Sequence, residues 1–220
     1  MAAMRILVVG GHGKVALLLH PLLVEAGHQV TAVIRNPDHQ AEVGATGATA
    51  TVADVEHLGV DDLAELLAGH DAIVWSAGAG GGNPARTYAV DRDAAIRAMD
   101  AATEAKIQRF VMVSYFGAGP EHGVDPENAF FAYADAKATA DTYLEATSLD
   151  WTILRPSRLT DDLATGRIET ASQGATAGSV SRADVAAVIA NVLGDPATAR
   201  QAIAFNNGAT PIAEAVRSTP

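Results

Sequence analysis

The stretch Arg5-Ile6-Leu7-Val8-Val9-Gly10-Gly11-His12-Gly13-Lys14-Val15-Ala16 decides how this chain is read. Its first five residues are strand length, and the four aliphatic ones present apolar side chains to both faces, as a strand buried in a parallel sheet must. Glycines follow at once, and residues 14–26 then read as a helix. A glycine turn that enters a helix N-terminus lets backbone come close to an anion and aims free N–H groups at it. The pyrophosphate of a dinucleotide needs that arrangement. Ala16 stands where the fingerprint has its third glycine, a place for a small side chain that lets helix and sheet pack closely.

Working outward, Gly27 closes the first helix and residues 29–34 form the second strand. A short helix is expected over 37–43. Further strands are expected at 48–53, 72–76, 110–114 and 151–154, with helices at 61–68, 84–104 and 130–147 between them. This alternation predicts an α/β doubly wound parallel-sheet Rossmann fold. After Pro156 the alternation fades. Residues 157–179 are polar and read as a small substrate-side lobe within one domain spanning 1–220. A helix over 181–193, opened by the pair Ser181 and Asp184, a strand over 201–205 and a short last helix complete the chain.

Bulk composition narrows the function classes. With 220 residues, 49% apolar and only 19% charged, the chain can bury a substantial core. Its formal net charge of −11 and lack of any Lys/Arg cluster argue against nucleic acid as a partner. No apolar run approaches the roughly 18 residues of a membrane span, and no signal sequence is apparent, so no membrane partner and a cytoplasmic location are expected. The absence of cysteine excludes disulfides, thiolate metal sites and a cysteine nucleophile. Seven histidines include no His-Glu-x-x-His pattern, and no metal is expected.

The cofactor-binding set is then Gly10, Gly11, His12, Gly13, Lys14 and Val15 in the loop, with Arg35, Asp54, Ser76, Ala77 and Gly78 at the ends of later strands. Sites selective for NAD place a carboxylate at the end of the second strand to hold the ribose 2′-OH. Arg35 stands there instead, and a guanidinium suits a 2′-phosphate, which favours NADP(H) over NAD(H). Asp54 ends the third strand, within reach of adenine or as an ordinary loop carboxylate. Ser76-Ala77-Gly78 offers small residues where a cofactor would cross the sheet edge.

Tyr133 and Lys137 lie four residues apart in an expected helix, so they share one face. A phenol with a pKa of about 10 is a poor acid or base at neutral pH. A neighbouring ammonium and a positively charged nicotinamide would bring it toward the working range. Ser114 ends the fifth strand at the carboxyl edge, placed to orient or polarise a carbonyl beside that tyrosine.

Taken together the glycine loop, Val33-Ile34-Arg35-Asn36-Pro37, Arg109-Phe110-Val111-Met112-Val113-Ser114, Tyr133-x-x-x-Lys137, Leu154-Arg155-Pro156 and Ser181-Arg182-Ala183-Asp184-Val185-Ala186 resemble the short-chain dehydrogenase/reductase superfamily. The likeness is to its small atypical branch of NAD(P)-binding, epimerase/dehydratase-like proteins, and runs along nearly the whole chain. It implies Tyr133 as catalytic acid/base, Lys137 on the nicotinamide ribose and Ser114 positioning substrate. The sequence departs from the family at His12, where the family more often has a small residue. The relay asparagine has no clear counterpart either, Asp91 lying in that region.

The reading that follows is an NADP(H)-dependent oxidoreductase or epimerase/dehydratase-like enzyme acting on a small carbonyl or alcohol substrate. Two alternatives stay open. One is a non-catalytic NADP(H) sensor that recognises a protein partner, and the other a flavin or tetrapyrrole reductase that dispenses with the tyrosine. The loop over 120–126 is a candidate lid, and Tyr115, Phe116, Phe130 and Phe131 are candidate pocket aromatics.

Overall fold

The computed structural model describes residues 2–80 and 82–218. Strand β1 (Arg5–Val9) leads through the glycine turn into helix α1 (Lys14–Glu25), followed by β2 (Gln29–Ile34), α2 (Gln40–Ala45), β3 (Thr49–Val52), α3 (Val60–Leu67) and β4 (Ala72–Trp75). The second half runs α4 (Pro84–Thr87), a π-helical segment (Tyr88–Ala94), α5 (Ala95–Glu104), β5 (Arg109–Val113), α6 (Phe131–Ala146) and β6 (Asp150–Pro156). It ends with β7 (Arg158–Thr160), β8 (Arg167–Thr170), β9 (Ser179–Ser181), α7 (Arg182–Leu193), β10 (Gln201–Asn207), β11 (Thr210–Pro211) and α8 (Ile212–Ala215).

Among the described residues, nine strands form one sheet in the order β11-β8-β10-β6-β5-β4-β1-β2-β3. From β1 the chain first builds outward through β2 and β3, then crosses back to β4 and continues the other way. β1 and β4 are therefore neighbours, with Val9 beside Trp75, and the reversal of strand order opens a crevice at their carboxyl ends. Alternation of side chains across the sheet builds two cores. Ile6 and Val8 pack toward α1 and α7, with Leu19, Leu23, Val188 and Ile189. Leu7 and Val9 pack toward α3, α5 and α6, with Leu63, Met99 and Leu144. Each of these side chains is almost fully buried, a contribution of roughly 1.5–3 kcal/mol apiece before opposing entropy.

Two features depart from the sequence expectation. The sheet is mixed, because β8 runs antiparallel to β10 inside the stretch read as a substrate-side lobe. Its residues Arg167-Ile168-Glu169-Thr170 alternate exposed and buried, as suits an antiparallel strand with one wet face. The rest of that stretch supplies β7 and β9, a parallel two-stranded sheet of their own. In addition, the single helix expected over 84–104 is broken by the π-helical segment, a wide turn that recurs where a helix must redirect a side chain. The redirected side chain is Asp91, 3% exposed, whose Oδ2 accepts the Ala79 N–H at 2.9 Å.

Candidate active site

The glycine turn is shaped by backbone contacts. Gly10 has φ +82°, and a Cβ there would lie 2.7 Å from the backbone of Ala77. The β1 turn thus presses directly against the end of β4, which no L side chain would allow. Gly13 N–H closes the turn on Gly10 O at 2.8 Å, and Gly11 N–H donates to Val33 O at 2.9 Å. Among the described residues no side chain caps the start of α1, and its first turn holds no acidic residue. Its leading N–H groups and the positive end of its dipole therefore face the crevice uncompensated. These are the donors an anion such as pyrophosphate requires.

On one side of the turn a pocket of about 310 Å³ is lined by Gly10, His12 and Gly13 of the loop with Arg35, Asp54, Ser76, Ala77 and Gly78, while Gly11 is buried against Ala32 and lines neither this pocket nor the cleft beyond it. His12 lines this pocket, stacking on His39 with centroids 3.5 Å apart and meeting Glu42 Oε2 through Nε2 at 2.7 Å. Asp54 spends its carboxylate locally, accepting the Glu56 N–H at 3.2 Å and lying 3.1 Å from His57. Arg35 is mostly exposed and 3.9 Å from Glu56 Oε2. Glu56 also binds Arg86 through Nε and Nη2, at 3.2 and 3.0 Å. Two guanidinium groups thus flank one carboxylate in this pocket. Sequence reading missed Arg86 and Glu56, which enter the site from elements that only the fold brings together.

The other side opens into a cleft of about 720 Å³ that shares Gly13, Ser76, Ala77 and Gly78 with the first pocket. Ser114, Tyr133 and Lys137 all line it, together with Lys14, Val15 and Asp91. Lys14 reaches across the mouth to Asp161 at 3.0 Å, and Arg182 meets the same carboxylate at 2.7 Å. Tyr133 packs its ring against Tyr115 and Phe130, with centroids 5.5 and 5.2 Å away. Phe131 instead stacks edge-on with His122, at 5.6 Å. Lys137 is 1% exposed, and its ammonium donates to Val113 O at 2.7 Å.

Burial dominates the electrostatics at this end. Desolvation pushes the Lys137 ammonium below its ordinary pKa, while the facing carboxylates Asp91 and Asp141 pull the other way. Burial raises both of those carboxyls, and Lys137 lowers them. Tyr133 departs from the expectation of a phenol lowered by its lysine. Burial, and then Asp91 and Asp141, raise its pKa. The ammonium is directed at Val113 and held among carboxylates, so its charge is already matched.

Asp141 was not foreseen, although its signal was present. Tyr133, Lys137 and Asp141 stand at i, i+4 and i+8 on one face of α6. A charged residue continuing that stripe has to enter the same buried site. Asp91 carried a weaker signal, an acidic residue within an alanine-rich helix, and only the π turn aims it inward.

The sequence profile of a family described as NAD(P)H-binding matches residues 10–196. The chain is 35% identical over 217 residues to YhfK of Bacillus subtilis (strain 168), an uncharacterized sugar epimerase by name, covering 97% of this chain and 99% of that one. A Bacillus halodurans structure provisionally named an NAD-dependent epimerase/dehydratase superposes with a TM-score of 0.89 at 34% identity, covering 97% and 99% of the two chains. ChuY, an anaerobillin reductase from Escherichia coli O157:H7, superposes with a TM-score of 0.76 at 28% identity over 92% and 97%.

Proposed function

The chain belongs to the NAD(P)H-binding family of Rossmann proteins related to epimerases/dehydratases and short-chain dehydrogenases/reductases, and from that premise we propose an NADP(H)-dependent oxidoreductase or epimerase acting on a small carbonyl or alcohol. One observation carries the proposal. The uncapped start of α1 and the Ser114-Tyr133-Lys137 group open onto one continuous crevice, joined at Gly13 and Ser76-Ala77-Gly78.

In this reading the loop N–H groups hold the pyrophosphate, and the pocket beside Arg35 and Arg86 takes the adenosine end. The preference for NADP(H) is supported by the two guanidinium groups of this pocket, Arg35 and Arg86, whose donors a 2′-phosphate would share with Glu56. When bound, the nicotinamide supplies or accepts the hydride. Tyr133 moves the proton to or from the substrate oxygen at its hydroxyl. The raised phenol stays protonated until positive charge arrives, which suits a group that must hold a proton through substrate entry. Lys137, fixed by Val113 O, sets the local charge and carries the ribose-binding role. Tyr115 and Phe130 make an apolar wall beside the reacting group and exclude water from it.

The test is a titration of purified protein with NADPH and NADH separately, followed by turnover of aldehydes, ketones, quinones, flavins and sugar nucleotides. NADPH binding with turnover that requires Tyr133 is the expected result. Binding without any turnover would favour the sensor. Turnover of flavins or tetrapyrroles that survives loss of Tyr133 would favour direct hydride transfer in a reductase that dispenses with the tyrosine.

A further inference from the structure

Ser114 sits at the cleft with only 4% of its surface exposed, and its one hydroxyl proton is already committed. Ser114 Oγ donates to Asp141 Oδ2 at 2.8 Å, and Asp141 is itself 1% exposed. The direction of that bond follows from the third partner. Arg155 Nε lies 3.0 Å from the same Oδ2, and a guanidinium only donates. Oδ2 is thereby marked as the charged, accepting oxygen, and the serine must supply the proton. Asp141 Oδ1 has no hydrogen-bond partner among the described residues, so any proton on this carboxyl would go there and leave Oδ2 accepting.

A serine hydroxyl has one proton and two lone pairs. With the proton turned inward, only lone pairs face the cleft. A substrate carbonyl, which also offers only lone pairs, gains nothing from such a group. A substrate hydroxyl gains an acceptor inside a buried site, where an unmatched polar group is costly.

We infer that Asp141 is a positioning residue that fixes Ser114 as a hydrogen-bond acceptor, so that the group selected beside Tyr133 is a ligand hydroxyl. This rests on the cleft being the substrate site of the proposed enzyme, and it reverses the role of carbonyl polarisation expected for Ser114. It narrows the substrate class to compounds that carry a hydroxyl next to the reacting carbon, which donates to Ser114 while the reacting oxygen is left to exchange its proton with Tyr133.

The experiment uses the full chain carrying Tyr133→Phe, which stops turnover and leaves Ser114 as the hydroxyl to be read. The probes are cyclohexanol and cyclohexanone, matched in size, each titrated in the presence of saturating NADP⁺ and followed by ligand-observed NMR. Cyclohexanol should bind roughly threefold to tenfold more tightly than cyclohexanone, the worth of one hydrogen bond. Adding Asp141→Ala frees the serine proton and should erase or reverse that preference. The substitution removes one buried charge and so costs stability, but Arg155 keeps Glu145 at 3.2 Å and Lys137 keeps Asp91. If the variant still fails to fold, Ser114→Ala replaces it and should weaken cyclohexanol while leaving cyclohexanone unchanged. Equal or tighter binding of cyclohexanone, a preference that survives Asp141→Ala, the opposite pattern in Ser114→Ala, or binding of neither probe overturns the inference. Failure of the underlying reading looks different: no NADP⁺ binding at all, or turnover undiminished by Tyr133→Phe.

Discussion

The two ends of the crevice are built on opposite principles. At the proposed adenosine end most side-chain charges stand in or near solvent, Glu56 excepted: Arg35 is 59% exposed, and Glu42, which meets His12, is 63% exposed. The indispensable contacts there are made by backbone, at Gly10 against Ala77 and along the free N–H groups of α1. At the chemistry end Asp91, Lys137 and Asp141 are each 3% exposed or less and hold one another in a balance of charge. Exposed ion pairs are screened and replaceable, whereas buried ones fail severely when one member is removed. Substitutions should therefore act gently through side chains at the first end, severely through backbone, and severely through side chains at the second.

The largest expected effect is on turnover. Tyr133→Phe should lower kcat by about 10²–10⁴-fold, the usual worth of a positioned acid/base, while NADPH affinity stays within twofold or so. Steady-state kinetics with fluorescence titration checks both. Lys137→Met should cost stability as well as rate. It removes the buried cation that faces both Asp91 and Asp141, leaving Asp91 to Arg86 and the Ala79 N–H and Asp141 to Arg155, a loss of about 3–5 kcal/mol measurable by urea unfolding. A loss below 1 kcal/mol would erase the contrast between the two ends.

Gly10→Ala tests the backbone half of the comparison. A left-handed φ and a clash with Ala77 should destabilise the chain by about 1–3 kcal/mol and abolish nucleotide binding together. Arg35→Ala should weaken NADPH by roughly tenfold and NADH by less than twofold, with the NADPH effect shrinking as salt is raised. Equal losses for both nucleotides would remove the basis for NADP(H).

The smallest effect lies away from the crevice, on the scaffold of the adenosine half. His20 is fully buried in α1, with Nδ1 3.1 Å from Thr46 Oγ1 and Nε2 without a hydrogen-bond partner among the described residues. Burial lowers its pKa from 6.5 to about 4. Between those values the unfolded chain binds a proton that the folded chain refuses, so stability falls as pH drops from 6.5 toward 4. His20→Leu should flatten that part of the acid limb in Tm measured against pH. Thr46 keeps Val43 O as its acceptor at 2.6 Å, so the substitution strands no donor.

Much of the fold could be read because central strands of a doubly wound sheet are apolar on both faces. β1 and β2 ended where residues 5–9 and 29–34 ran out of apolar character, and α1 began where the glycines stopped. β8 was hidden because a short alternating run next to loops carries little signal. The π turn was hidden because a one-residue widening leaves composition unchanged. In the candidate site, spacing linked Tyr133 and Lys137, and their stripe extended to Asp141 in plain sight. Arg86 and Glu56 were beyond reach, since they are 30 residues apart and meet only through packing.

Sequence alone determined which residue types were on hand and which lay on a shared helix face, because helix and strand periodicities are local rules. The candidate phosphate turn, tyrosine and lysine followed from that. Only the tertiary structure decided the sign and direction of what those groups do: that Lys137 faces Val113 O between carboxylates, that Tyr133 is raised, and that Ser114 spends its proton on Asp141. The physical reason is that charge and hydrogen bonding in a buried site depend on every neighbour within a few ångströms, and those neighbours come from distant parts of the chain.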